Sequence, residues 1–197
     1  AWARDDTDAA ERMKVQFGTS YGYPQSMMGS HVSAVPNEQT GRITPLETRA
    51  NVAFYGAFGY ELDISKMSDA EKQAVKKQVA FYKQHRALYQ FGKLYRLDSP
   101  FNGDGNVMSW VVVDDDQDHA IATRYQLLKH PNAPYERLYL RGLDPDKQYR
   151  VNDSDEAYYG DELMNAGLFI GSEFDEDADV KQSVDFSSRR FMIDVAK

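Results

Sequence analysis

The chain has 197 residues and a mass of 22.5 kDa, enough for one large domain or two domains of about 100 residues each. It is 42% hydrophobic and 13% aromatic, which is the composition of a chain that folds. It has no cysteine, which excludes disulfides, a thiolate nucleophile and a cysteine-ligated zinc site. The net charge of −8 argues against a nucleic-acid partner, and no apolar run approaches the roughly 20 residues that cross a bilayer, so no membrane partner is expected.

The first residues and the absence of cysteine indicate where in a longer chain, and in which compartment, this sequence belongs. The chain opens with Ala1-Trp2-Ala3-Arg4 and has neither an initiator methionine nor an apolar signal segment. This start favours a piece of a longer chain, cut inside a domain. A chain without cysteine fits a cytoplasmic location, although it does not exclude secretion.

Charge divides the chain into two parts. Residues 1–95 hold 12 basic and 10 acidic side chains, a net of +2, whereas residues 96–197 hold 11 and 21, a net of −10. This asymmetry predicts two units, 1–92 and 93–197, that meet at Gly92. Within the second unit, the acidic run 173–179 is interpreted as a solvated loop; a calcium loop is the alternative, but the central glycine of an EF-hand is missing.

The first unit is predicted to alternate helices and strands. Apolar spacing and breakers predict a helix over 8–17, a strand over 31–35, a helix from Pro45 towards Gly56, a strand over 60–64 and a long helix. That helix starts at the capping box formed by Ser68 and Glu71 and ends at Gly92, with a predicted buried face of Val75, Val79, Tyr82, Arg86 and Tyr89. Such alternation indicates βαβ units, and two parallel strands are too few for a sheet buried on both faces. The unit is therefore interpreted as the last part of an α/β barrel or a doubly wound fold.

The second unit is predicted to be an antiparallel β-domain, arranged as a sandwich and lacking a long helix. Strands over 108–113 and 120–127 flank an acidic turn and are expected to pair as a hairpin. A strand over 138–140 leads into a turn with Pro and Asp at 142–146, and 149–151 is expected to return as its hairpin partner. A last strand is predicted over 191–195.

Clustered carboxylates provide the candidate chemistry. Asp5, Asp6 and Asp8 stand close to Trp2, and glycoside hydrolysis needs two carboxyl groups, one to protonate the leaving oxygen and one to attack or stabilise the sugar cation. The competing interpretation is helix capping by these aspartates and Thr7, with no catalytic role. The four scattered histidines are interpreted as structural or exposed, and no metal or cofactor is expected.

Separated blocks along nearly the whole chain carry a further signal. The blocks are Trp2-Ala3-Arg4-Asp5-Asp6-Thr7-Asp8-Ala9, Glu11-Arg12, Gly18-Thr19-Ser20, Met28-Gly29-Ser30-His31 through Asn37, Thr40-Gly41-Arg42, Thr44-Pro45-Leu46-Glu47-Thr48-Arg49, Phe58-Gly59-Tyr60-Glu61-Leu62-Asp63, Leu140-Arg141-Gly142-Leu143-Asp144-Pro145-Asp146 and Gly160-Asp161-Glu162-Leu163-Met164. In this order they resemble glycoside hydrolase family 36, the large microbial α-galactosidases.

The resemblance implies a fold and roles for particular residues. Family members carry a (β/α)8 barrel followed by an antiparallel β-domain, and they hydrolyse terminal α-galactosyl groups of melibiose and raffinose-type sugars with retention. On the Trp-x-x-Asp-x-Thr-Asp motif, Asp5 is the expected general acid/base and Trp2 lines the galactose pocket. Asp6 and Asp8 are expected to support the loop. The family usually has Ser before the catalytic Asp, whereas Arg4 stands here.

The resemblance also implies what lies outside this chain. The family's nucleophile belongs to a Lys-x-Asp motif on the fourth barrel strand, which this sequence does not contain, so this piece alone is expected to be inactive. A homo-oligomer, often a tetramer, is implied. Two alternatives stay open: a non-catalytic carbohydrate-binding or assembly module, and a related α-glycosidase or transferase of different sugar specificity.

Overall fold

The structure is a computed structural model, and it describes residues 7–131, 135–152, 154–170 and 185–196. The chain forms two compact units, Ala1–Phe91 and Gly92–Lys197. The first consists of α1 (Ala9–Thr19), β1 (Gly29–Ser33), α2 (Leu46–Ala53), β2 (Ala57–Glu61) and α3 (Asp69–Phe91).

The two strands of the first unit are parallel, as the alternating pattern predicts. His31 lies opposite Gly59, and the pairing runs without a shift along both strands. Gly56 precedes β2 and lets the two backbones approach closely, because a Cβ there would lie only 2.7 Å from the carbonyl oxygen of Met28. That oxygen accepts the backbone N–H of Ala57 at 2.7 Å and so begins the pairing.

Both strands lie nearer the amino terminus than predicted. Strand β1 ends at Ser33, because its carbonyl oxygen accepts a hydrogen bond from the Arg49 side chain at 2.6 Å. The prediction of a strand over 60–64 is wrong at its end, since the chain turns after Glu61. Asp63 caps a 3-10 turn by accepting the backbone N–H of Ser65 at 3.0 Å, and Ile64 is exposed to solvent.

The long helix α3 begins at the predicted capping box. The backbone N–H of Ser68 donates to Glu71 Oε2 at 2.8 Å, and the N–H of Glu71 donates back to Ser68 Oγ at 3.3 Å. These hydrogen bonds from Ser68 lower the pKa of the Glu71 carboxyl. The predicted face is wrong at Arg86, which is exposed, since the helix presents the residue one position earlier, His85, between the buried Tyr82 and Tyr89.

Aromatic rings pack α3 against the rest of the first unit. The ring of Phe54 lies 5.3 Å from that of Phe81, 5.9 Å from that of Tyr82 and 5.7 Å from that of Tyr89, measured between centroids. Tyr82 Oη also donates to the carbonyl oxygen of Gly56 at 2.6 Å. The phenol therefore anchors the helix to the turn that starts β2.

The second unit is an antiparallel β structure, as predicted. In the part of this unit that the structure describes, the main sheet has six strands in the order β3-β4-β5-β10-β7-β8, and β6 pairs with β9 in a separate two-stranded sheet. The predicted hairpin of β4 and β5 is confirmed. The strands are β3 (Lys93–Asp98), β4 (Val107–Val113), β5 (His119–Gln126), β6 (Arg137–Leu138), β7 (Gln148–Val151), β8 (Ala157–Tyr159), β9 (Leu168–Phe169) and β10 (Ser187–Val195); a short helix, α4 (Gly160–Glu162), and a π-helical turn over Leu163–Gly167 lie between β8 and β9.

The expected hairpin between 138–140 and 149–151 is wrong. Strand β6 pairs with β9, while β7 pairs with β10 and β8. Tyr149 explains the separation: it is fully buried, donates to the carbonyl oxygen of Gln117 at 2.7 Å and accepts the N–H of Asp144 at 3.0 Å. This side chain fastens the 142–146 turn to the β4–β5 turn, so β7 is directed into the main sheet.

A prediction concerns Gly160, which follows β8. A Cβ at this position would overlap the backbone carbonyl oxygen of Asp144, and backbone cannot give way as a flexible side chain can. We expect Gly160→Ala to lower the free energy of unfolding by about 1–3 kcal/mol, measured by thermal denaturation of the purified protein. The control is Gly18→Ala, in the exposed end of α1, where nothing lies within 4 Å of the new Cβ. Equal melting temperatures for the two variants would contradict the proposed close approach at Gly160.

Candidate functional site

Only part of the predicted catalytic motif falls within the described structure. Trp2, Asp5 and Asp6 lie outside the described residues, as does the acidic run 173–179 with its alternative reading as a calcium loop. Asp8 is described, together with the helix that follows it. The described part of the site therefore consists of Thr7, Asp8 and the residues that contact them.

Asp8 is the N-cap of α1 and is 2% exposed. Its backbone is extended, and its side-chain Oδ1 accepts the backbone N–H of Ala10 at 3.2 Å. A short carboxylate at this position satisfies a helix N–H that has no partner in the helix, and it lies at the positive end of the helix dipole. The cap thus fixes the direction in which the preceding residues join α1.

A cation from the loop after β1 balances the buried charge. Arg42 forms an ion pair with Asp8 Oδ2, and the hydroxyl of Thr40 donates to the same oxygen at 3.3 Å. The second carboxylate near this guanidinium is Glu11, 3.8 Å away. A buried carboxylate needs such partners, since its removal from water is otherwise very costly.

The loop that supplies Arg42 is folded around Asn37. Its side-chain Oδ1 accepts the backbone N–H groups of Gln39 and Thr40, both at 2.9 Å, which is the local pattern of an Asx turn. Its Nδ2 donates to the hydroxyl of Thr7 at 2.8 Å. Gly41 closes the turn with a φ of +68°, a conformation that favours glycine. One buried amide therefore shapes the loop and binds the motif segment as well.

Two buried arginines hold β1 and the loop in place. Arg12, one turn into α1, donates to the carbonyl oxygen of His31 at 2.6 Å and to Ser30 Oγ at 3.1 Å. Arg49 donates to the carbonyl oxygens of Ser33 at 2.6 Å and Thr44 at 3.0 Å, so it joins the two ends of the loop. Burial lowers the pKa of the Arg49 guanidinium.

These contacts place Thr7 and Asp8, the described end of the motif, at the carboxyl edge of the parallel pair. The loop bearing Asn37 and Arg42 leaves the carboxyl end of β1, and Thr7 and Asp8 are bound to that loop. Across the strand pair, His31 Nε2 lies 2.9 Å from Glu61 Oε2. Active sites of parallel α/β folds lie at this edge, where the strands end and the loops begin.

Sequence reasoning found Asp8 but missed its partners. Asn37, Thr40 and Arg42 fall in blocks that carry the family resemblance, yet no role was assigned to them. The sequence does contain a turn signal, because Asn37 and Gly41 are residues typical of turns. Arg42 directly follows this turn. Nothing in the spacing shows that this cation returns to a carboxylate 34 positions earlier.

The described residues give no sign of a membrane or metal site. None of their helices is both long and apolar enough to cross a membrane. Nor do they group three or more histidine, aspartate or glutamate side chains so as to hold a metal ion.

Comparison with known protein families identifies both units. The Melibiase model matches residues 1–92, and the model of the glycosyl hydrolase family 36 C-terminal domain matches residues 107–193. The two matches follow each other along the chain and together cover most of it. The chain belongs to glycoside hydrolase family 36.

Individual relatives agree with this assignment. α-Galactosidase AgaA of Geobacillus stearothermophilus is 51% identical over 169 residues, which are 86% of this chain and 23% of that protein. The crystal structure of the α-galactosidase from Lactobacillus brevis is 61% identical with a TM-score of 0.92, over 98% of this chain and 26% of that one. Crystal structures of AgaA variants with raffinose and with stachyose are 45% and 46% identical, with TM-scores of 0.89 and 0.88, over 98% of this chain and 25% of theirs. This chain thus spans about a quarter of the length of these relatives.

The buried cap yields a prediction about stability. Asp8→Asn keeps an oxygen for the N–H of Ala10 but removes the charge that pairs with Arg42, so we expect a loss of about 1.5–3 kcal/mol in the free energy of unfolding. Asp8→Ala also removes the cap and should cost about 1 kcal/mol more. Chemical denaturation of the purified protein measures both losses.

The matched control for this prediction is Glu11→Gln. Glu11 lies near the same guanidinium, but its side chain is 38% exposed, so we expect a change below about 1 kcal/mol. If Asp8→Asn destabilises the protein no more than Glu11→Gln does, the buried pair does not anchor this segment.

Proposed function

We propose that this chain is the C-terminal part of a retaining α-galactosidase that removes terminal α-galactosyl groups from melibiose and raffinose-type oligosaccharides. The observation that carries the proposal is the 45–46% identity, over 98% of the chain, to AgaA variants crystallised with raffinose and with stachyose. The bound motif segment at the carboxyl edge of β1 supports it, since this is the edge where a barrel enzyme binds its substrate.

The proposal includes the architecture that a family 36 enzyme implies. Residues 1–92 form the end of the (β/α)8 barrel, with β1 and β2 as its seventh and eighth strands and α3 as its last helix. Residues 93–197 form the C-terminal β-sandwich, in which β6 and β9 contribute to the second layer. The parallel pairing of β1 with β2 and the antiparallel six-stranded sheet support these two assignments.

Asp5 is the proposed general acid/base. In the first step its carboxyl group gives a proton to the glycosidic oxygen, while a carboxylate from a preceding part of the protein attacks the anomeric carbon. The leaving alcohol departs and a galactosyl ester remains. In the second step the Asp5 carboxylate takes a proton from water, whose oxygen attacks the same carbon and releases galactose.

The other motif residues assist this chemistry. Trp2 offers an aromatic face to the galactose ring, and Asp6 and Asp8 support the loop. For Asp8 the support is a helix cap and an ion pair with Arg42. No cofactor or metal takes part in this proposal. The proposed location is the cytoplasm. The proposed assembly is a homo-oligomer, which the family resemblance implies and which is often a tetramer.

A first test uses residues 1–197 as purified. A retaining site needs its two carboxyl groups about 5–5.5 Å apart, and the proposed nucleophile lies outside this chain. We therefore expect no release of nitrophenol from nitrophenyl α-galactoside. Measurable hydrolysis would place both carboxyl groups in this chain and contradict the assignment. Glycan-array binding by the same protein would favour the alternative of a carbohydrate-binding module.

The assignment of Asp5 makes a sharper prediction in the full-length enzyme. Asp5→Asn should lower kcat/KM for melibiose about 10²–10⁴-fold, because the sugar leaving group needs protonation. The loss should be much smaller with nitrophenyl α-galactoside, whose leaving group departs without help. Added azide should restore part of the turnover by attacking the galactosyl intermediate without a base, which gives an α-galactosyl azide.

Asp6→Asn is the matched control, one residue along the same segment. It should show neither the dependence on leaving group nor the azide rescue. Near wild-type cleavage of melibiose by Asp5→Asn, or azide rescue of Asp6→Asn, would show that Asp5 is not the acid/base. Activity of the unmodified enzyme on α-N-acetylgalactosaminides, or transfer of galactose to sucrose, would instead point to the related specificities.

A further inference from the structure

We propose that Arg42 is a positioning residue for the acid/base: through Asp8 it holds Thr7 and Asp8, which follow Asp5 by two and three residues, at the carboxyl edge of β1. The inference rests on the proposed function of Asp5 and adds a residue to which no role has been assigned. Arg42 contacts the motif at Asp8, and it acts on the reaction through that contact.

Asp8 lies three residues after Asp5 in the chain. Thr7 and Asp8 are the first described residues after Asp5, and both are bound to the loop after β1. Asp8 begins α1, which Arg12 joins to β1 through the carbonyl oxygen of His31. Two and three residues after Asp5, the chain is therefore bound to the first unit at Thr7 and Asp8.

Two separate sets of contacts bind Thr7 and Asp8 to the loop. Arg42 and Thr40 bind the carboxylate of Asp8, whereas Asn37 donates to the hydroxyl of Thr7. The loop itself is held by the turn around Asn37 and by Arg49, which binds the carbonyl oxygens at the loop's two ends. A rigid loop with two attachments holds a segment in both position and direction.

The charge of Asp8 is balanced within the protein. The Asp8 side chain is 1% exposed and that of Arg42 is 25% exposed, so the carboxylate depends on this guanidinium rather than on water. Without the cation, the Asp8 carboxylate is more stable in water than in the protein interior, so it moves towards solvent. That movement shifts the segment to which Asp8 belongs. A catalytic group displaced by about 1 Å can lose roughly 10²-fold in rate.

The test compares two substrates in the full-length enzyme. The readout is the ratio of kcat/KM for melibiose to kcat/KM for dinitrophenyl α-galactoside, because unfolded or inactive protein lowers both values equally. Arg42→Gln should lower this ratio about tenfold, a part of the contribution of a general acid. Arg42→Lys keeps the positive charge and should restore most of it. Azide should not rescue Arg42→Gln, since the Asp5 carboxylate is still present.

The matched control is Arg124→Gln. Arg124 forms a comparable, partly buried ion pair with Glu136 in the second unit, and its loss should leave the ratio unchanged. Thr7→Val provides a second variant, because it removes the hydroxyl that Asn37 binds and keeps the shape of the side chain. It should also lower the ratio. If Arg42→Gln does not fold, Asp8→Asn decides the matter, because it removes the other charge of the ion pair and keeps an oxygen for the helix cap.

A double variant separates positioning from stability. Combined with Asp5→Asn, Arg42→Gln should cause no further change in the ratio, because the group that it positions is gone. Equal losses on both substrates in Arg42→Gln, or a further tenfold change in the double variant, would overturn the inference while leaving Asp5 as the acid/base. An unchanged ratio in Asp5→Asn alone would overturn the proposed function and this inference with it.

Discussion

The carboxylate of Asp8 is almost completely removed from water, so its oxygens must find donors within the protein. The backbone of α1 provides one at the helix cap, and the loop after β1 provides a hydroxyl and a guanidinium. These partners come from two parts of the chain more than 30 residues apart. Satisfying one charge thus joins a helix start to a strand end, and the candidate site is organised around that junction.

The same requirement recurs along β1. Arg12 and Arg49 are both buried, and each points its guanidinium at backbone carbonyl groups of the strand or its loop. A carbonyl that leaves the sheet ladder needs another donor, and an arginine can serve several at once because its donors form a fixed fork. These two arginines therefore satisfy backbone carbonyl groups of β1 and of the loop that follows it.

In the second unit one phenol has a comparable role. Tyr149 is buried between two turns and bonds to the backbone of both, at Gln117 and at Asp144. Gly142 adds to this packing: its φ is +82°, and a side chain there would collide with the ring of Tyr95. The 142–146 turn is thus fixed by its contacts with Tyr149 and Tyr95 and not by pairing of the strands on its two sides. This explains why β6 and β7 belong to different sheets.

Local patterns were sufficient for much of the molecule. Ser68 and Glu71 indicate the start of α3, since a capping box depends only on residues three positions apart. The alternation of helices and strands indicates that β1 and β2 are parallel. The motif containing Trp2 and Asp5 led by resemblance to the family that the comparisons show. Contacts distant in sequence were decided by tertiary structure alone. Neither the pairing of β6 with β9 nor the ion pair of Arg42 with Asp8 follows from spacing along the sequence. Each forms because folding removes polar groups from water, and those groups then bind to partners that are distant in sequence.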